Sequence, residues 1–210
     1  KYVGAYLEHD PLPHEMLYEA NLKLMYGAKS LSFYSYFGYP DNPDETGLVL
    51  PVGNSLIYTL KWEMVRDNLS PRLKGLFGKT LKKLTPTEQI LNAAPLTWYD
   101  YINLLIHYGD QSFGSDFDLG FFKDANNVDY FMLINRWYNA GTLGVPLSFN
   151  SSCFGNYSNI QLYNLVDSTK QTIQNNGIIY PTIALGDALF FRVVPVVKYG
   201  GSLIVNETTL

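Results

Sequence analysis

The sequence predicts an α/β segment followed by an all-β domain: the tail of a larger parallel-sheet domain with a β-sandwich attached. Three observations carry this. First, the opening residues read strand, helix, strand, helix, with β-runs over 1–10 (KYVGAYLEHD) and 28–37 (AKSLSFYSYF), a helical stretch over 13–26 and a helix from about Asn54. Two strands joined by a helix lie parallel, and a parallel sheet needs more strands and cover on both faces. The unit is therefore expected to end a larger domain, and Lys rather than Met at position 1 fits a fragment. Second, no further strand–helix unit follows Leu84. Third, the rest of the chain alternates short β-runs with turn residues, the pattern of a sandwich.

In the first strand Val3, Ala5 and Leu7 alternate with Gly4, Tyr6 and Glu8, a period of two. Pro11 and Pro13 close it and open a helix, with Met16, Leu17, Ala20 and Leu24 on one face and Gly27 suited to the position after its end. Leu31 and Phe33 alternate with Ser32, Tyr34 and Tyr36 in the second strand. The loop from Gly38 to Gly53 is long for its kind, and long loops of this type are often functional. An amphipathic helix through Leu56, Leu60, Trp62 and Val65 follows, then a break at Ser70-Pro71 and a short helix ending near Gly78. Beyond it, strands are expected over 80–84, 98–108, 116–122, 129–137, 144–149, 159–166, 178–185 and 189–197. Turns such as Asp124–Asn127 and Asn175-Asn176-Gly177 separate them. The domains are accordingly 1–84 and 85–199, with 200–210 opening a further strand or linker.

Composition excludes several function classes. Apolar content of 47% against 16% charged residues indicates a folded chain, and a net charge of −4 with mixed signs argues against nucleic acid. Cys153 is the one cysteine, so neither an intrachain disulfide nor a thiolate metal cluster can form. No apolar run approaches membrane-spanning length. Asn-x-Ser/Thr sequons stand at Asn68, Asn150, Asn156 and Asn206. Aromatic residues make up 15% of the chain, and tyrosine, with seventeen copies, leads them; it suits both strand faces and sugar-stacking platforms.

The chemistry-bearing constellation emerges if the opening units are the last two of an eightfold α/β barrel. Val3, Ala5, Leu7, Leu31 and Phe33 then face the helices, leaving Glu8, Tyr34 and Tyr36 inward, with Glu8 at a strand tip where barrel sites lie. His9 and Asp10 stand beside it, and Tyr36 and Phe37 end the neighbouring strand. A carboxylate flanked by flat apolar rings is what glycoside hydrolysis requires, together with a second carboxylate that this chain does not identify. The alternative role for Glu8 is a strand-end carboxylate capping the next helix. His9, Asp10, His14 and Glu15 match no established metal spacing, so no metal and no cofactor is expected. Cys153 has no histidine nearby and reads as inert.

Residues 15–37 (EMLYEANLKLMYGAKSLSFYSYF) resemble the end of a glycoside-hydrolase TIM barrel, where "GAKG" text leads into the last strand; Ser30 stands here in place of the usual glycine. Residues 116–136 (DFDLGFFKDANNVDYFMLINR) are similar to a hairpin, and 183–194 (IALGDALFFRVV) to the closing strand, of the β-sandwich that follows such barrels. The second lacks the family's proline. The resemblance implies the C-terminal part of a carbohydrate-active enzyme, or of a relative that has lost activity. Glu8 would be its nucleophile or base, and Tyr34, Tyr36, Phe37, His9 and Asp10 would contact a poly- or oligosaccharide. It further implies an extracellular or cell-surface protein. Two strand–helix units alone leave sheet edges and apolar helix surface uncovered, so pairing with the chain's own upstream part or with further copies of itself is expected. The competing expectation is a non-catalytic carbohydrate-binding or assembly protein, signalled by exposed aromatics among Trp98, Tyr99, Trp137 and Tyr138.

Overall fold

A computed structural model of the chain describes residues 10–33, 37–38, 46–105, 117–136, 143–155, 157, 159–174, 176–199 and 202–204. It opens with helix α1 (Pro13–Met25), a hairpin of β1 (Val49–Val52) and β2 (Ser55–Tyr58), helix α2 (Leu60–Met64), a π-helical turn (Val65–Leu69) and helices α3 (Ser70–Lys74) and α4 (Leu76–Leu81). Strands follow: β3 (Thr85–Ile90), β4 (Trp98–Tyr99), β5 (Ile102–Leu104), β6 (Phe117–Lys123), β7 (Asp129–Asn135), β8 (Leu143–Gly144), β9 (Leu147–Phe149) and β10 (Asn159–Asn164). The series ends with β11 (Lys170–Gln174), β12 (Ile178–Ile179), β13 (Thr182–Ile183), β14 (Ala188–Tyr199) and β15 (Ser202–Ile204).

The fold is β-rich and sandwich-like. A seven-stranded sheet runs β11-β10-β14-β7-β6-β3, with β15 added to β14, and a four-stranded sheet runs β12-β9-β5-β4. Period-two alternation sorts the side chains of the large sheet. Phe121, Phe131, Leu133, Phe191 and Ile160 pack against Ile102, Leu147 and Phe149 of the small sheet, forming the sandwich core. Phe122, Tyr130, Met132, Ile134 and Phe190 point the other way, onto Tyr18, Leu24 and Met25 of α1 and Phe77 and Leu81 of α4. The helices thus form a third layer. Central strands buried on both faces explain why β6 and β7 read as continuous apolar runs. Phe190 alone touches the rings of Phe77 (5.1 Å) and Phe122 (5.6 Å), and burying one such side chain stabilises by about 1.5–3 kcal/mol.

Two glycines let α1 settle onto the strands. A Cβ on Gly120 would lie 2.3 Å from Met25 Cγ, and one on Gly186 would lie 2.0 Å from the His14 carbonyl oxygen. Polar ties then fix the layer. Tyr18 donates its hydroxyl to Asp118 (2.7 Å), Asn21 Nδ2 donates to the Gly186 carbonyl (3.0 Å), and Arg72 pairs with Asp187. Lys29 donates to the carbonyls of Leu81 (2.9 Å) and Leu84 (2.7 Å), a cationic cap on the end of α4.

Several expected elements differ. Within 28–37 the described residues form no strand; only Phe37 pairs, through one parallel bridge to Val49. The helix expected from Asn54 begins at Leu60, because Gly53 (φ +57°) reverses the chain and makes 49–58 a hairpin. The strand expected over 80–84 is instead the end of α4 and a turn. Gly78 lies inside α4 because its bare Cα admits Leu73, whose carbonyl oxygen would be 2.0 Å from a Cβ, so this glycine marks close packing and not a helix end. Strands expected over 98–108, 144–149 and 178–185 are each broken in two, at Asp100-Tyr101, at Val145-Pro146 and at Tyr180-Pro181. Strand β11 escapes the apolar pattern because it is a polar edge with Ile173 its single buried residue. The strand begun after Gly200 is β15, which pairs with β14.

Candidate functional site

Glu8, His9, Tyr34 and Tyr36 lie outside the described residues, as do Trp137 and Tyr138; Asp10 and Phe37 are described. Both of these converge on one strap, residues 46–49. Asp10 accepts hydrogen bonds from the Thr46 hydroxyl and from Lys61 Nζ, and Lys61 donates also to the Thr46 carbonyl. Phe37 forms the parallel bridge with Val49, next to which Gly38 N–H donates to the Val49 carbonyl (2.8 Å). Gly47 permits this approach, since a Cβ there would lie 2.4 Å from Gly38 N. On the far side of the strap Thr59, the N-cap of α2, donates its hydroxyl to the carbonyls of Gly47 and Leu48, both at 3.0 Å.

Sequence reasoning missed Lys61 and Tyr58. Lys61 sits in the first turn of α2, where the helix dipole disfavours a cation, and its side chain is 8% exposed. A buried lysine in that place needs a carboxylate, and Asp10 supplies it. The placement of a lysine at a helix start is the signal that could have found the pair. Asp10 is thereby committed to tying its own backbone to the strap and to α2.

Strand register builds an aromatic row beside this pair. Val49 is bridged to Phe37 on one side and paired with Tyr58 on the other. Cross-strand partners share a face, so Phe37 and Tyr58 flank a fully buried Val49, each about half exposed. Tyr58 stacks on Trp62, with centroids 5.3 Å apart and planes inclined by 27°. Leu56 and Ile57 of the same hairpin, and Leu60 at the start of α2, add exposed apolar surface. This arrangement offers flat apolar faces for a saccharide ring, next to a fixed lysine–carboxylate pair.

Elsewhere the aromatics divide. Trp98 is 47% exposed on the edge strand β4, while Tyr99 packs against the sandwich core and its hydroxyl accepts from Ala94 N–H (2.8 Å). Cys153 is exposed, and partial burial of its sulfur together with the Asp100 carboxylate pushes its thiol pKa up, away from reactivity. Among the described residues no group of His, Cys, Asp or Glu is arranged to hold a metal, and no helix is long and apolar enough to cross a membrane.

No known family profile matches the chain, and no curated protein matches it. Among solved structures it is weakly similar to Abp, a GH27 β-L-arabinopyranosidase from Geobacillus stearothermophilus, at 12% identity and a TM-score of 0.31, over 40% of this chain and 18% of that one. A likeness of that size carries no argument about fold or activity.

Proposed function

We propose that the chain belongs to a carbohydrate-active protein of the glycoside-hydrolase type, acting outside the cell or at its surface on a poly- or oligosaccharide. In this reading it is the C-terminal part, with residues 1–84 completing a TIM barrel and 85–199 the following sandwich. The observation that carries the reading is the convergence of Asp10 and Phe37 on the 46–49 strap, beside the half-exposed ring of Tyr58. Glu8 is the nucleophile or base. The Asp10–Lys61 pair ties down the chain two residues further on in sequence, and Phe37, Tyr34, Tyr36 and Tyr58 supply the stacking faces. The sandwich motifs support the same reading. Asp118, Gly186 and Asp187 are the residues that meet Tyr18, Asn21 and Arg72, so the text resembling a barrel-following sandwich is used here to seat the sandwich on a helical layer. The exposed apolar hairpin β1–β2 suits a chain that packs against more protein.

The test is hydrolysis of a panel of aryl glycosides and of neutral and acidic polysaccharides by the full-length protein and its Glu8→Gln variant. A loss of about a hundredfold or more in kcat, with saccharide binding retained, is expected for removal of the base or nucleophile. Equal rates in the two proteins reject Glu8.

A second reading, a non-catalytic saccharide-binding module, is favoured by Trp98, half exposed on a sheet edge, and Tyr180, 66% exposed. Saccharide binding without hydrolysis by the full-length protein, lost in Trp98→Ala, would establish it.

A further inference from the structure

The helix-facing side of the large sheet carries a second, polar row that the helical layer leaves open at one end. Register places Tyr130 opposite Arg192, Arg192 opposite Tyr163, and Tyr163 opposite Lys170, so the four stand in line across β7, β14, β10 and β11. Tyr130 is buried in the cluster between the sheet and the helices, Arg192 and Tyr163 are half-buried, and Lys170 is exposed on the edge strand. The row therefore opens progressively toward solvent.

Its charges lack partners of their own. The Arg192 guanidinium carbon stands 5.8 Å from the centroid of the Tyr163 ring, a cation–π contact, and among the described residues no carboxylate pairs with Arg192 or Lys170. The acceptors at hand are occupied. Gln161 Oε1 takes the Tyr163 hydroxyl (2.6 Å), and Asp124, at the Tyr130 end, takes the Tyr130 hydroxyl (3.2 Å) and the turn amides of Asn126 (2.8 Å) and Val128 (3.0 Å). A half-buried arginine with its fork unused, held between two tyrosines, is poised for an external planar anion. Lys170, two strands further on, adds a second cation about 10 Å away by ordinary strand spacing. Tyr163 lies between the two cations, with Arg192 over one face of its ring and the side toward Lys170 left for a sugar.

We infer that this row binds an acidic saccharide, the carboxylate of a uronic acid residue seated on Arg192, with the next acidic residue within reach of Lys170. The inference rests on the carbohydrate reading and narrows its substrate class; it concerns the sandwich and not the Glu8 end of the chain.

Binding of a short oligogalacturonide to the full-length protein, measured by calorimetry, tests it. The comparison ligands are the same oligomer with its carboxylates reduced to hydroxymethyl groups, and a single-stranded oligonucleotide. The acidic oligomer should bind in preference to both and weaken as salt rises. Arg192→Met, which keeps the length and apolar stem of the side chain, should weaken it by about tenfold or more. Arg192→Lys should recover part of that loss, and Lys74→Met on α3 should leave binding unchanged. Lys170→Met, at an exposed edge position that folding tolerates, should weaken binding by about threefold and carries the test if Arg192→Met does not fold. Equal binding of the reduced oligomer overturns the inference and leaves the carbohydrate reading standing. Absence of binding to either oligomer overturns the inference, and if neutral polysaccharides are also ignored the carbohydrate reading falls with it. Preference for the oligonucleotide overturns both.

Discussion

Asp118 stands fully buried in β6, where an ionised carboxylate is costly unless its oxygens are occupied. Both are. Oδ2 accepts from the Tyr18 hydroxyl of α1 at 2.7 Å, Oδ1 accepts from the Asn92 amide at 2.9 Å, and Arg136 lies 3.6 Å from Oδ1. One side chain thus joins the helical layer, the loop after β3 and the end of β7. Tyr18→Phe keeps the ring that packs on the sheet and removes the donor alone. It should destabilise the fold by about 1–3 kcal/mol, read as a lowered midpoint of urea unfolding with an unchanged slope. A change within experimental error would show that Asp118 finds another donor. At this scale the sequence was partly informative: Asp118 and Arg136 stand within a motif it singled out, but their partner Tyr18 is a hundred residues away from Asp118.

Strand β14 organises the large sheet, pairing with β7, β10 and β15 along its twelve residues. The turn that launches it is also where α1 docks. Gly186 has φ +72°, its N–H donates to the Asn135 carbonyl (3.0 Å), and its own carbonyl accepts from Asn21. Gly186→Ala should cost about 1–3 kcal/mol from backbone conformation alone. It should cost more from the contact with the His14 carbonyl, which forces α1 outward. Thermal unfolding and near-ultraviolet circular dichroism would read the loss; a wild-type melting temperature would refute the docking role of this turn. Elements were legible where the apolar signal was strong and bounded by turn residues, as in the continuous runs of β6 and β7 and in β10 and β14. They were misread where one residue had two meanings, as with Gly53 in a hairpin and Gly78 in a helix. The candidate site shows the same division. Phe37 and Asp10 stand out next to the β-runs, but Tyr58 and Lys61 join them only through the β1–β2 register and the first turn of α2.

Across the whole molecule, three layers leave tyrosines in dry surroundings. Burial, with Asp124 adding to it, pushes Tyr130 up to about 12 from an ordinary 10.0, and burial pushes Tyr101 well above the usual range. Unfolded tyrosines ionise near pH ~10, whereas Tyr130 in the fold holds its proton until about 12. Its contribution to stability is therefore complete below pH ~10 and lost as the pH rises toward 12. Unfolding free energies measured by urea should fall over that interval, and Tyr130→Phe should make the fall shallower. Lys29, whose ammonium pKa burial lowers, works in the opposite direction, so the comparison of variant with wild type is the decisive one. Equal alkaline slopes in the two proteins would place Tyr130 in contact with solvent.

Local patterning was enough to mark a β-sandwich preceded by helical segments, because periodic burial and turn chemistry are properties written into neighbouring residues. It also marked the 8–10 and 34–37 segments as the place to look for chemistry. The tertiary structure alone decided that the helices cover the outer face of the large sheet, that Lys61 claims Asp10, and that Arg192 stands in a row with Lys170 and two tyrosines. Those relations depend on strand register and on which surfaces meet, and both are settled by packing among residues far apart in the chain.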